Sequence, residues 1–172
     1  TEHSAALDSL KVLEQKGFDV TYLNVDKFGK LNLDQLKNSI TDKTILVSIM
    51  TANNEIGTIN NISEIGRICK EKDILFHTDA AQAAGKIPFD VLKSKIDIAS
   101  FSAHKIYGPK GVGAIFVKNK VKLIPQIFGG GHENNLRSGT LNIPGIVGFA
   151  KAVEICSKEM QSESLRLKKL RD

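Results

Sequence analysis

Apolar positions along this chain change their period several times, and each change marks an element. Ala5, Ala6, Leu10 and Leu13 recur at helical spacing behind Thr1, a residue suited to an N-cap, and Gly17 is placed to end that helix. Phe18, Val20 and Tyr22 alternate as a strand does, and Asp26 to Gly29 reads as a turn. Asn32 with Gln35 three residues on has the form of a capping box for a short helix through Ile40. Thr44 to Met50 is a near-continuous apolar run, the pattern of a strand covered on both faces. Ile62, Ile65, Ile68 and Cys69 then form one helical stripe. Ile74 to Phe76, Ile96 to Phe101 and Gly113 to Val117 read as further strands, and from Pro144, suited to the first turn of a helix, the pattern stays helical toward Leu170.

Strand, helix, strand at this spacing predicts parallel pairing through right-handed crossovers, and so a three-layer α/β/α sandwich. Residues 1–145 are expected to form that layered domain, and residues 146–172 a long helix leading out of it. Composition changes this picture little. At 172 residues, with 41% apolar and 25% charged, the chain has a folded domain's make-up, which excludes disorder and low complexity. Its longest apolar runs fall far short of the ~20 residues a bilayer span needs. Two cysteines, Cys69 and Cys156, are too few for a disulfide scaffold or a four-cysteine zinc site, so a reducing compartment is expected. The net charge of +5 comes with 6% aromatic residues and no Trp, so no base-stacking platform is indicated and nucleic acid is not an expected partner. The chain opens at Thr1 directly on a helix start, with neither initiator Met nor leader, and is expected to be a fragment of a longer protein.

Chemistry enters through where the polar residues collect. Thr51-Ala52-Asn53-Asn54-Glu55 follows the first long apolar run, His77-Thr78-Asp79-Ala80-Ala81-Gln82 the next, and Ser102-Ala103-His104-Lys105 the third. Open α/β sheets bind ligands beyond the carboxyl ends of their strands, so these three clusters are expected to face one cleft. A lysine there, if desolvated or set near other cations, becomes a nucleophile toward a carbonyl cofactor, and Lys105 is the candidate. Asp79 would hold the proton on a pyridine nitrogen, keeping the ring a strong electron sink. Ser102 and His104, two apart on what reads as an extended segment, point to the same side and suit a phosphate. Each also has a plainer reading: Lys105 as a solvated loop charge, Asp79 as a helix cap, Asn54 as a turn residue, His3 as an exposed first-turn residue, both cysteines as inert thiols. A metal-dependent hydrolase built from His77, Asp79, His104 and His132 is a remote alternative. No GxxxxGK[ST], dinucleotide fingerprint, HExxH or GxSxG string occurs.

The strings themselves add a resemblance. Asn53-Asn54-Glu55-Ile56-Gly57, His77-Thr78-Asp79-Ala80-Ala81-Gln82, Ser102-Ala103-His104-Lys105-Ile106-Tyr107-Gly108-Pro109-Lys110-Gly111, Gly129-Gly130-Gly131-His132-Glu133 and Arg137-Ser138-Gly139-Thr140 occur in order over nearly the whole chain. Together they resemble the NifS/IscS-like cysteine desulfurases, pyridoxal 5'-phosphate (PLP) enzymes of the class V aminotransferase superfamily with the fold type I large domain. The resemblance implies that Lys105 is the Schiff-base lysine, that Asp79 partners the pyridinium nitrogen and that Gln82 donates to the ring hydroxyl oxygen. It further implies that His3 stacks on the cofactor face, Ser102 and His104 hold its phosphate, and Thr140 reaches the phosphate in a partner subunit's site. Asn54 would lie near the ring hydroxyl and the substrate carboxylate. The implied reaction takes sulfur from L-cysteine, leaving alanine, and passes it to an enzyme cysteine for iron–sulfur cluster assembly.

Neither Cys69 nor Cys156 matches the family's persulfide cysteine, which lies downstream in a smaller C-terminal domain, so the chain alone is expected to be inactive. No metal is implied. Expected partners are L-cysteine, a second copy in a homodimer, and an iron–sulfur scaffold or other sulfur acceptor protein. The expected compartment is the cytoplasm, or an organelle matrix in a eukaryote. Another class V enzyme, a selenocysteine lyase or an aminotransferase, and a non-catalytic cofactor-binding or dimerisation module are the alternatives.

Overall fold

A four-stranded sheet in the spatial order β1-β2-β3-β4 organises the molecule, whose structure, a computed structural model, describes residues 1–172. In chain order the elements are α1 (Ser4–Gln15), α2 (Leu33–Ser39), β1 (Leu46–Ser48), α3 (Ile62–Glu71), β2 (Leu75–Asp79), β3 (Ile98–Ser102), β4 (Gly113–Val117) and α4 (Ile143–Arg171). Short 3₁₀ turns cover Ala103–Ile106 and Glu133–Asn135. The α/β class expected from the sequence is the one observed.

The first three strands are parallel, with Val47 opposite Phe76 and Thr78 opposite Ala99. β4 departs from the expected parallel order and pairs antiparallel to β3, Ser100 lying opposite Ile115. The reason is length. Residues 103–112 are all that joins the two strands, and a parallel crossover needs a dozen or more. Between β2 and β3 the chain crosses through turns rather than a regular helix. Phe18 to Tyr22, read as a strand from its alternation, forms none; Phe18 and Tyr22 stay about half exposed, and the Tyr22 hydroxyl donates to Glu14 Oε2.

Caps follow local chemistry. Asn32 Oδ1 accepts from the N–H groups of Asp34 and Gln35, and Asn61 from that of Glu64, so α2 and α3 start where their side chains satisfy the first orphan donors. α1 is capped by His3 rather than Thr1: the imidazole Nδ1 accepts from Ala5 N–H at 3.1 Å. α4 begins at Ile143 behind an Asn142 cap, which puts Pro144 second in its first turn.

The core sits between α2, α3 and one face of the sheet, with Leu36, Val47, Ile65, Ile68, Cys69, Phe76 and Ile96 among its buried members. Burial pushes the Cys69 thiol up to about 11, as expected of an inert core cysteine. α3 lies unusually close to the segment before β3: a β-carbon on Gly66 would stand 1.9 Å from the backbone oxygen of Ser94. Gly66→Ala therefore destabilises the fold by about 2–3 kcal/mol or more, read as a lower urea midpoint. The sign is informative, since alanine in a free helix would stabilise by ~1 kcal/mol, and a raised midpoint would refute the close approach.

Candidate active site

β1, β2 and β3 all run toward the same end of the sheet, and the polar clusters predicted to follow them meet there. Seven of the eight candidate residues, His3, Asn54, Asp79, Gln82, Ser102, His104 and Lys105, line one open cleft of about 340 Å³, together with Met50, Ser100 and Phe101. Separate stretches of chain contribute them, so the cleft exists only in the folded sheet.

Lys105 owes its position to its neighbours. β3 ends at Ser102, and the chain tightens into the 3₁₀ turn Ala103–Ile106, closed by Tyr107 in the left-handed conformation at φ 64°. Ala103 and Ile106 are buried, Ala103 N–H donates to Val112 O at 3.1 Å, and Gly108 N–H donates back to Ala103 O at 2.9 Å. The intervening His104 and Lys105 are left on the cleft side. Ser102 and His104 are thus not two positions of one extended segment, as their spacing predicts; one ends a strand and the other lies in the turn, yet both line the cleft. Lys105 is half-buried as a residue, and its ammonium joins none of the ion pairs of the fold.

Asp79 is the last residue of β2. Its Oδ1 accepts from Ala81 N–H at 2.9 Å, so it does cap the following turn, but that occupies one carboxylate oxygen only. Asn54 is exposed at the cleft on a loop ordered by Asn53, whose Oδ1 accepts from the N–H groups of Glu55 and Ile56 and whose amide donates to Thr1 O at 2.9 Å. The last contact, with Glu2 Oε1 accepting from Met50 N–H at 2.7 Å, fastens the segment carrying His3 to the loop after β1. Glu2 Oε2 is buried without a hydrogen-bond partner, and burial raises the Glu2 carboxyl above its ordinary range, partly offset by the Met50 bond. Sequence reasoning passes over Asn53 and Glu2, although Asn53 repeats the Asx-turn signature that marks a loop ordered by its own side chain.

His77, beneath Asp79 on the same strand face, bonds through Nδ1 with Ser48 Oγ at 2.8 Å and through Nε2 with Ser100 Oγ at 3.4 Å. Burial lowers its affinity for a proton, the Asp79 charge opposing. This is a structural use of the ring, and nowhere do three His, Cys, Asp or Glu side chains gather as a metal site would require. The hydrolase alternative therefore lacks its ligand set. Thr140 stands apart from the cleft of its own chain, exposed on a loop where Gly139 N–H donates to His132 Nδ1 at 3.2 Å.

The sequence matches the family described as aminotransferase class-V over residues 1–171. The chain belongs to the class-V aminotransferase family. Among relatives, it is 55% identical to a cysteine desulfurase IscS of Anaeromyxobacter sp. (strain Fw109-5), over all of this chain and 43% of that protein. It is 56% identical to a mitosomal cysteine desulfurase of Trachipleistophora hominis, over 94% of this chain and 37% of that one. Among solved structures, a NifS-like protein superposes with a TM-score of 0.96 at 49% identity, covering 99% of this chain and 47% of the other. SspA in complex with cysteine superposes at 0.87 with 46% identity, covering 89% and 45%. This class-V chain thus spans less than half the length of the relatives it matches. No helix of it is long and apolar enough to cross a membrane.

Proposed function

We propose that this chain is the cofactor-binding part of a PLP-dependent cysteine desulfurase, which removes sulfur from L-cysteine, leaves L-alanine and supplies iron–sulfur cluster assembly. One observation carries the reading: an unpaired lysine, a half-used carboxylate, two amides, a hydroxyl and two imidazoles converge beyond three parallel strand ends. The donor set fits the cofactor. Lys105 would hold its aldehyde carbon, Asp79 its ring nitrogen, Gln82 and Asn54 the ring oxygen, His3 the ring face, and Ser102 and His104 the phosphate, with Thr140 serving the partner's site in a homodimer. When bound, PLP supplies an electron sink for charge developing on the substrate's carbon skeleton.

The remaining work falls to the chain's own groups. Lys105 Nζ moves the proton at the substrate's Cα, a task for a base held close to it. Asp79 brings to the cleft a carboxylate with one oxygen uncommitted. His3 accepts from Ala5 through Nδ1, so its neutral ring carries its proton on Nε2, and that edge alone remains free to donate. Neither cysteine suits the sulfur-accepting role: Cys69 is buried with a raised pKa, and Cys156 sits on α4, its thiol 3.8 Å from Ile106 O. We assign that role to a cysteine of the longer protein, residues 1–145 to the large domain, and residues 146–172 to the connection toward a smaller one. The cysteine desulfurase names of the relatives support the reading, and the mitosomal one fits an organelle matrix as well as a cytoplasmic setting.

The test is to titrate the full-length protein that carries this chain with PLP and then supply L-cysteine. A band near ~420 nm, fixed by borohydride on Lys105, followed by equal amounts of alanine and transferred sulfur, is expected. A folded protein without the band refutes the cofactor; a band without alanine leaves only a binding module.

A further inference from the structure

Lys86 lies one helical turn's spacing beyond Gln82, and its ammonium donates to Gln82 Oε1. An ammonium carries three donors and no acceptor, so the amide atom that faces it must be the oxygen. An amide is planar. Fixing its oxygen on Lys86 leaves the nitrogen as the free end, and no other group of the chain bonds the Gln82 side chain, which lines the cleft. Lys86 also lies within electrostatic reach of Lys105: partial burial first, and then the Lys105 charge, lower its affinity for a proton.

We propose that Lys86 is a positioning residue, which holds the Gln82 amide by its oxygen and so commits a hydrogen-bond donor to the cleft, selecting a ring that bears an oxygen acceptor at that place. This rests on the cofactor reading above and extends it to a residue outside the cleft. Without Lys86 the amide is free to turn its oxygen inward, where it would meet the ring oxygen acceptor to acceptor. A freely rotating amide also loses its preorganisation.

The test is a cycle between residue and ligand group in the full-length protein. Dissociation constants are measured for PLP and for 3-deoxypyridoxal 5'-phosphate, which keeps the aldehyde, ring nitrogen and phosphate but lacks the ring hydroxyl. Lys86→Met is expected to weaken PLP about tenfold and to leave the deoxy analogue within about twofold of wild type. Lys86→Arg, which restores a cationic donor, should recover most of the loss, and on a Gln82→Ala background Lys86→Met should add nothing further. Equal weakening of both ligands would make Lys86 a general charge or folding contributor and overturn the proposal, as would no weakening of either. A wild-type protein that binds neither ligand would overturn the cofactor reading, and this inference with it.

Discussion

Lys105→Ala leaves the protein folded, removes the borohydride-fixable label and lowers desulfurase turnover by at least about 10³-fold. The folding half of this expectation comes from the local structure. The turn is held by buried Ala103 and Ile106 and by backbone bonds at Ala103 and Gly108, none of which involves the Lys105 side chain. Its ammonium has no ion pair to lose, so stability should stay within about 0.5 kcal/mol. The chemical half follows from position: Lys105 is the lysine on the cleft wall, and Lys86 is committed to Gln82. Peptide mapping after borohydride reduction checks the assignment. A label that persists on Lys86 or Lys110, or turnover within tenfold of wild type, would remove Lys105 from the reaction.

The placement of this lysine is legible in the amino-acid sequence because of one regularity: a polar cluster directly after a buried apolar run has nowhere to go but the sheet's end. The inference needs only the positions of Asn54, Asp79 and Lys105 relative to their strands, and it tolerates errors in boundaries. β2 runs on through Asp79 rather than stopping at Phe76, and β1 is shorter than the apolar run, yet Thr51 N–H still bonds Asp79 O at 2.9 Å and keeps the two ends side by side. The roles proposed for His3, Gln82 and Thr140 rest on the family resemblance alone. Nothing in local pattern says that the cap of α1 lies over the ends of strands far along the chain, because that follows from two long-range bonds, Glu2 to Met50 and Asn53 to Thr1. The antiparallel β4 is within reach of sequence reasoning, since the short span between Ser102 and Gly113 forbids a crossover. The false strand at Phe18 to Tyr22 is not, for alternation records only that one side faces something apolar.

Asp79→Asn carries the second large effect, and its value lies in how little else it changes. The amide oxygen still accepts from Ala81 N–H, so the turn after β2 keeps its shape and the melting temperature should move by only a few degrees. The second oxygen becomes an NH₂ group. Opposite the proposed ring nitrogen a carboxylate would favour the protonated form, whereas an amide nitrogen would present donor hydrogens and withdraw the charge that holds the proton. Glu2, whose carboxyl feels the Asp79 charge, is no replacement, because it spends one oxygen on Met50 N–H and burial disfavours ionising it. The expected loss is about 10²- to 10³-fold in kcat, the range found when a preorganised electrostatic group is removed, with KM for L-cysteine changed far less. Such a split separates electronic tuning from substrate binding. If kcat instead stays within about threefold of wild type, Asp79 is no more than the cap of its turn, and the electron-sink role must be sought in another group of the cleft.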